Sequence, residues 1–322
     1  MNLSANRRQT RPSLAAFPKC YLDQISHQRT MSVFDWIEQA RSLDADGLEM
    51  YEGFFTSLDD GYLDDVRAAI AEAGFAMPML CCSPDFTSPH AADRQAAIDY
   101  QQQMIRVAHR LGGEGVVCRV LSGQRWPQVS RQQGLAYARE GILACLPLAE
   151  ELGVILGIEN HYKDGHWRFP EFAQKQDVFL ELVQSIPASP HFGVQYDPSN
   201  ALVAGDDPLE LLQAVVDRVV SMHASDRHLI PGATLEDLTR IDAAPEGAVG
   251  YADILRHGVT GKGLNDYDRI FSLLSHAGYT GWISIEDGMN GMEEMAESLA
   301  FLRRKIAEHW PDTTKRSELA TD

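Results

Sequence analysis

Eight short apolar runs, each followed by a segment with helical periodicity, constrain the fold of this chain most strongly. The runs lie at residues 14–20, 47–50, 76–80, 115–120, 154–158, 192–196, 219–222 and 282–285. Strands that alternate with helices pair in parallel, and strands that are apolar along their whole length are buried on both faces. Eight such units close into a barrel more readily than they form an open sheet. The sequence therefore predicts an α/β fold, a (β/α)₈ TIM barrel.

The 322 residues suit one barrel domain, which we place at residues 13–310. Residues 1–12 are polar and basic and are predicted to be a disordered N-terminal lead-in, while residues 311–322 form a polar C-terminal tail. The segment 224–261 is long for a connection after a strand and contains glycine, proline and acidic residues. Because long connections at the catalytic face are often lids, we expect a lid there.

Charge and composition narrow the classes of partner. The chain has 28 basic and 46 acidic residues, so its formal net charge is −18. Such a surface repels nucleic acid and anionic lipid, and no apolar run approaches the ~18 residues of a membrane span. The five cysteines are an odd number and do not indicate a disulfide scaffold. We therefore expect a cytoplasmic protein that acts on a small molecule, with no nucleic-acid or membrane partner.

Four consecutive strands end in side chains that can bind a metal ion. The residues are Glu159 in GIENH, Asp197 in YDPSN, His223 in SMHASD and Glu286 in SIEDG. Strand ends meet at the C-terminal face of a barrel, where three converging carboxylates would repel one another without a cation. The alternative is four separate, solvated strand ends. The oxygen-rich set favours one divalent ion, Mn²⁺ first, with Mg²⁺, Co²⁺ and Zn²⁺ as alternatives.

The segments GIENH, YDPSN, MHASD and ISIEDG, in this order, resemble the xylose isomerase-like barrel superfamily. Its members include sugar isomerases and epimerases, inosose dehydratases, hydroxypyruvate isomerases, endonuclease IV and keto-glycoside lyases. The resemblance covers about residues 14–308 and implies that the same four residues bind the metal while substrate oxygens complete its shell. In the ketose 3-epimerases of this superfamily, the residues that match Glu159 and Glu286 also act as an acid/base pair.

Two departures from those epimerases leave the reaction class open. They have a histidine three residues after the aspartate ligand, where this chain has Asn200, and a further glutamate after the first ligand, where it has His161 to Gly165. One interpretation is a sugar isomerase or epimerase that removes a proton beside a carbonyl to give an enediolate. The alternative is a lyase, dehydratase or hydratase that eliminates from a 3-keto-glycoside or inosose-type substrate. A non-catalytic binding barrel is a third interpretation.

Several polar residues near the four strand ends are candidates for further roles. His161 leaves the same strand end as Glu159 and is a candidate proton-transfer base, or else a structural partner of a carboxylate. Candidate substrate contacts are Glu49, Asn200, Arg227 and His228. Barrels of this superfamily are often dimers or tetramers, so the resemblance also implies a homo-oligomer.

Overall fold

A computed structural model describes residues 10–238, 250–286 and 288–311. Its parallel strands are β1 (Ser13–Ala16), β2 (Gly47–Leu48), β3 (Met50–Tyr51), β4 (Met79–Cys81), β5 (Val117–Val120), β6 (Ile155–Glu159), β7 (Phe192–Tyr196), β8 (Val219–Ala224) and β11 (Trp282–Ile285). Two further strands, β9 (Asp226–Leu229) and β10 (Leu255–Gly258), form a separate hairpin between β8 and β11. Its α-helices are α1 (Leu22–Ser26), α2 (Val33–Ala40), α3 (Asp60–Glu72), α4 (Ala91–Gly112), α5 (Arg131–Leu152), α6 (Gln176–Ser185), α7 (Pro198–Ala204), α8 (Pro208–Val215), α9 (Tyr267–His276) and α10 (Met292–His309).

The parallel strands form a sheet that returns to its own starting segment. Their order is β2-β1-β11-β8-β7-β6-β5-β4-β3. β2 and β3 are two halves of one extended segment on either side of Glu49, and β2 pairs with β1 while β3 pairs with β4. The sheet therefore closes through eight strand positions, which confirms the predicted (β/α)₈ barrel.

The core lies mainly between the barrel wall and the surrounding helices. All five residues of β7 are buried, as expected for a strand covered on both faces. Helix α2 begins with a capping box, in which the Ser32 hydroxyl and the Asp35 carboxylate each accept a hydrogen bond from the other residue's backbone N–H. Its inward face is formed by Val33, Trp36, Ile37 and Ala40. Phe34 lies outside that face, because its side chain is 36% exposed and packs edge-on against a tyrosine.

Two regions after the later strands differ from the sequence prediction. The segment 224–261 is not a plain loop, because β9 and β10 pair antiparallel within it, with Asp226 opposite Gly258. Helix α7 begins directly after β7, where no helix was predicted. Both elements lie over the C-terminal end of the barrel and contribute side chains near its mouth.

Three predicted segments are described only in part. Residues 1–9 of the predicted lead-in, 239–249 of the predicted lid and 312–322 of the predicted tail lie outside the described residues. Within the part described, no helix has both the length and the apolarity that a membrane crossing requires.

Candidate metal centre

The four predicted ligands lie together at the C-terminal mouth of the barrel. Glu159 ends β6, Asp197 follows β7, His223 lies near the end of β8 and Glu286 follows β11, and these strands are neighbours in the sheet. One ligand atom from each residue lies within 4.8 Å of every other. The arrangement follows from the shared direction of the strands, which brings all their carboxyl ends to one side.

His223 is at the centre of this cluster. Its Nδ1 lies 3.1 Å from Glu159 Oε1, 3.6 Å from Glu286 Oε2 and 3.9 Å from Asp197 Oδ2. Glu159, Asp197 and His223 are buried, whereas the Glu286 side chain is 16% exposed. Three carboxylate oxygens and one ring nitrogen thus face a common point that is reached past Glu286.

Asp197 shows most directly that the cluster suits a cation. Its Oδ1 accepts hydrogen bonds from the backbone N–H groups of Ser199 and Asn200 and from the Ser225 hydroxyl. Its Oδ2 is buried and has no hydrogen-bond partner in the described structure. Burial, together with the charges of Glu286 and Glu159, raises the pKa of Asp197 to about 6. Buried polar atoms are normally satisfied, so this oxygen fits a metal ligand.

Two cations pair with Glu159 and Glu286. Arg119 on β5 donates from Nη1 to Glu159 Oε2 at 2.8 Å, and Lys19 donates from Nζ to Glu286 Oε1 at 2.7 Å. Burial opposes ionisation of Glu159, but His223 and Arg119 lower its pKa to about 2. Burial is likewise outweighed at Glu286, where Lys19 and His223 hold the pKa well below its ordinary value. Both carboxylates are therefore ionised at neutral pH.

Sequence analysis did not single out these two cations. Arg119 carries a usable signal, because it is a charged residue inside the otherwise apolar strand VCRV. A strand buried on both faces tolerates an arginine only when a partner compensates its charge. Lys19 carries no such signal, since it lies in a turn that follows β1.

Glu49 interacts with the far side of the imidazole. Its Oε1 lies 2.9 Å from His223 Nε2 and also accepts a hydrogen bond from the Cys81 thiol. Burial alone would lower the pKa of His223, but the carboxylates of Glu49 and Glu159 raise it well above its ordinary value. A carboxylate that accepts from Nε2–H leaves Nδ1 for the other carboxylates or for a metal. Glu49, expected as a substrate contact, is thus placed to orient His223.

The other expected substrate contacts differ in their placement. Asn200 is buried and donates from Nδ2 to Glu159 Oε1 at 3.1 Å. Arg227 on β9 is buried, with its guanidinium 4.5 Å from the Tyr251 ring centre. His228, the next residue of β9, is exposed. The structure therefore brings Asn200 to the cluster but leaves the His228 side chain in solvent.

A cavity of about 230 Å³ borders the cluster. Its wall includes Glu286, His161, Lys19, Arg119, Tyr162 and Lys163. His161 Nδ1 lies 3.6 Å from Glu171 Oε2, and the other oxygen of Glu171 accepts from the backbone N–H and the hydroxyl of Ser122. Glu171, which sequence analysis missed, thus supplies a second carboxylate near the first ligand strand. Two of the three expected catalytic residues, Glu286 and His161, therefore border this cavity.

A family model described as "Xylose isomerase-like TIM barrel" matches residues 37–305, which is most of the chain. The chain belongs to the xylose isomerase-like TIM barrel family. The resemblance stated from the four strand-end motifs is thereby confirmed. Membership of this family agrees with the closed parallel sheet and with a site at its C-terminal mouth.

Individual proteins are similar to the chain only at low sequence identity. The inosose dehydratase of Bacillus thuringiensis (strain Al Hakam) is 22% identical over 168 residues, which are 49% of this chain and 50% of that protein. The chain thus spans about half the length of this curated relative. A D-tagatose 3-epimerase-like protein superposes with a TM-score of 0.69 at 17% identity, over 92% of this chain and 98% of that one. An L-ribulose 3-epimerase gives 0.68 at 14% identity, over 97% and 98%. These superpositions show a shared fold.

Proposed function

We propose that this protein is a divalent-metal-dependent isomerase or epimerase that moves a proton beside the carbonyl group of a sugar-like substrate. The observation that carries the proposal is the unsatisfied Asp197 Oδ2, which faces two further carboxylates and an imidazole in a buried cluster. The similarity to epimerase structures supports the same interpretation.

Glu159, Asp197, His223 and Glu286 would hold the metal ion. When bound, a divalent ion supplies Lewis acidity, which makes the C–H beside a polarised carbonyl easier to deprotonate. Three carboxylates and one imidazole favour Mn²⁺, with Mg²⁺, Co²⁺ or Zn²⁺ as alternatives. Glu49 would fix the orientation and tautomer of His223 through its contact with Nε2.

Glu286 is the residue best placed to remove the proton. It is ionised and borders the cavity, whereas Glu159 lies deeper and bonds Arg119 and Asn200. His161 borders the same cavity and would carry the proton at its ring nitrogens, with Glu171 nearby to stabilise the charged imidazolium. Return of the proton to the neighbouring carbon gives an isomer, and return to the opposite face of the same carbon gives an epimer.

A lyase or dehydratase is the second candidate function. Its support is the sequence similarity to an inosose dehydratase, together with the pair of His161 and Glu171 on the cavity wall. Elimination needs an acid that protonates the departing hydroxyl or glycosidic oxygen after the C–H bond breaks. His161 is the candidate for that acid, and Glu286 remains the base, so the two functions share the first step.

Reactions in deuterated water distinguish the two functions. Purified protein loaded with Mn²⁺ is incubated with ketoses, 3-keto-glycosides, inososes and polyhydroxy keto acids, and the products are followed by NMR and ultraviolet absorbance. Deuterium in an isomeric product supports isomerisation or epimerisation, while a new enone absorbance supports elimination. The absence of both signals in metal-replete protein, across the whole panel, would contradict the proposal. Glu286→Gln should abolish deuterium incorporation, because this change removes both a ligand and the base.

A further inference from the structure

Two buried cations near the cavity have no carboxylate partner. Lys163 is 7% exposed and Arg227 is 1% exposed. In the described parts of the chain, no carboxylate oxygen lies within ion-pair distance of either side chain, whereas Lys19 and Arg119 are each paired with a ligand carboxylate. Two atoms of the Arg227 guanidinium are sealed from water without an acceptor, and Lys163 is mostly buried on the cavity wall without a carboxylate beside it. An anion that enters the cavity would supply the counter-charge that both cations lack.

Both cations are close to the space that the substrate would occupy. Lys163 forms part of the cavity wall together with Glu286 and His161. The Arg227 guanidinium lies 5.6 Å from the ring centre of Tyr162, which borders the same cavity, and its Nε and Nη1 have no hydrogen-bond acceptor. Asp164, also on the wall, accepts instead from the Ser83 hydroxyl and the His166 N–H.

We infer that the substrate carries a carboxylate that binds Lys163, so that this enzyme acts on a polyhydroxy acid rather than on a neutral sugar. The inference rests on the proposed function and specifies its substrate class. Lys163 makes the direct contact, while Arg227 adds positive potential from behind Tyr162. The volume of about 230 Å³ lies below the range of about 300–1,000 Å³ common for ligand pockets, and so favours a compact acid.

The test compares two probes that differ at one end of the molecule. D-Gluconate and D-glucitol have the same number of carbons, but only gluconate carries a carboxylate. Their Kd values are measured by calorimetry on the full chain, both metal-loaded and after removal of metal with a chelator. We expect gluconate to bind about tenfold more tightly than glucitol in the metal-depleted protein, as a charge-assisted hydrogen bond would provide.

Variants of Lys163 assign the preference to this side chain. Lys163→Met should abolish the preference for gluconate and leave glucitol binding within about twofold, while Lys163→Arg should retain most of it. The control is Lys262→Met, since Lys262 is exposed and pairs with Glu297 on the surface. Circular dichroism and thermal melting verify folding, and Lys163→Gln replaces Lys163→Met if the latter does not fold.

Two results would overturn the inference. One is an equal Kd for the two probes on the unmodified chain. The other is a gluconate preference that appears only with metal bound and survives Lys163→Met, since the carboxylate would then bind elsewhere. Neither result touches the proposed proton transfer, which is judged by deuterium incorporation. Conversely, if no deuterium is incorporated but gluconate still binds more tightly than glucitol, the proposed reaction is wrong and the anion site at Lys163 stands.

Discussion

At the residue scale, the proposed chemistry depends on a few side chains, and their positions differ in how readily the sequence predicts them. The convergence of Glu159, Asp197, His223 and Glu286 was predictable, because each lies at the end of an apolar strand and parallel strands end at one face. Lys19 and Glu171 were not, because nothing in their local sequence indicates where a turn or loop will place them. Glu49 was expected to contact substrate, and the 2.9 Å distance from its Oε1 to His223 Nε2 instead suggests a positioning role, which stays a prediction.

Glu49→Gln tests that role. The amide keeps the shape of the side chain but loses the charge that stabilises the Nε2–H form of His223. We expect the affinity for Mn²⁺ to fall about 10–100-fold, with the melting temperature of the metal-free protein nearly unchanged. Calorimetry with Mn²⁺ measures the change, and Glu297→Gln on the surface is the control. Unaltered Mn²⁺ affinity together with a raised KM would instead make Glu49 a substrate contact.

Asp197→Asn tests whether the cluster is destabilising without a cation. The pKa of Asp197 is raised to about 6, so the folded metal-free protein binds more protons than the unfolded chain between pH ~4 and ~6. Its stability therefore falls as pH rises through this interval. Asparagine removes the cost of ionisation, and we expect metal-free stability at pH 7.5 to rise by about 1–3 kcal/mol.

Urea unfolding of metal-depleted protein at several pH values provides the comparison. The gain from Asp197→Asn should disappear near pH 4, where the wild-type carboxyl is protonated in the folded state. A variant that is less stable than wild type at pH 7.5, or a gain that persists unchanged at pH 4, would contradict the assigned ionisation of Asp197.

At the scale of elements, periodicity and capping predicted most helices, whereas departures occur where tertiary contacts decide the structure. Helix α7 had an available signal, because Asp197 can cap it and Pro198 suits its first position. The hairpin of β9 and β10 had none, since its two strands are far apart in sequence and short.

Packing of helix α5 offers a prediction at this scale. A Cβ at Gly141 would lie 2.4 Å from the Phe86 ring, whereas a Cβ at Gly61 in α3 would meet open space. We expect Gly141→Ala to destabilise the protein by about 1–3 kcal/mol through overpacking. Gly61→Ala is the matched control and should be neutral or stabilising by up to about 1 kcal/mol. Denaturant midpoints measure both, and similar effects of the two changes would argue against close packing at Gly141.

At the scale of the whole molecule, the apolar repeats were sufficient to predict the barrel because a closed parallel sheet satisfies all eight strands at once. Closure itself depends on the two-part segment around Glu49, whose halves pair with β1 and with β4. The same closure places Glu49 beside His223, so the segment that closes the barrel also contributes a residue to the site. The homo-oligomer implied by the family resemblance stays a prediction, which light scattering of the purified protein would test.

The proposed function requires that the four strand-end residues bind one divalent ion. Elemental analysis of protein dialysed against Mn²⁺ and then against metal-free buffer tests it most directly, with Asp197→Asn as the comparison. We expect about one ion per chain in the wild type and a melting temperature that rises with added Mn²⁺, with both lost in the variant. Folded wild-type protein that retains no ion, with a melting temperature indifferent to Mn²⁺, would contradict it.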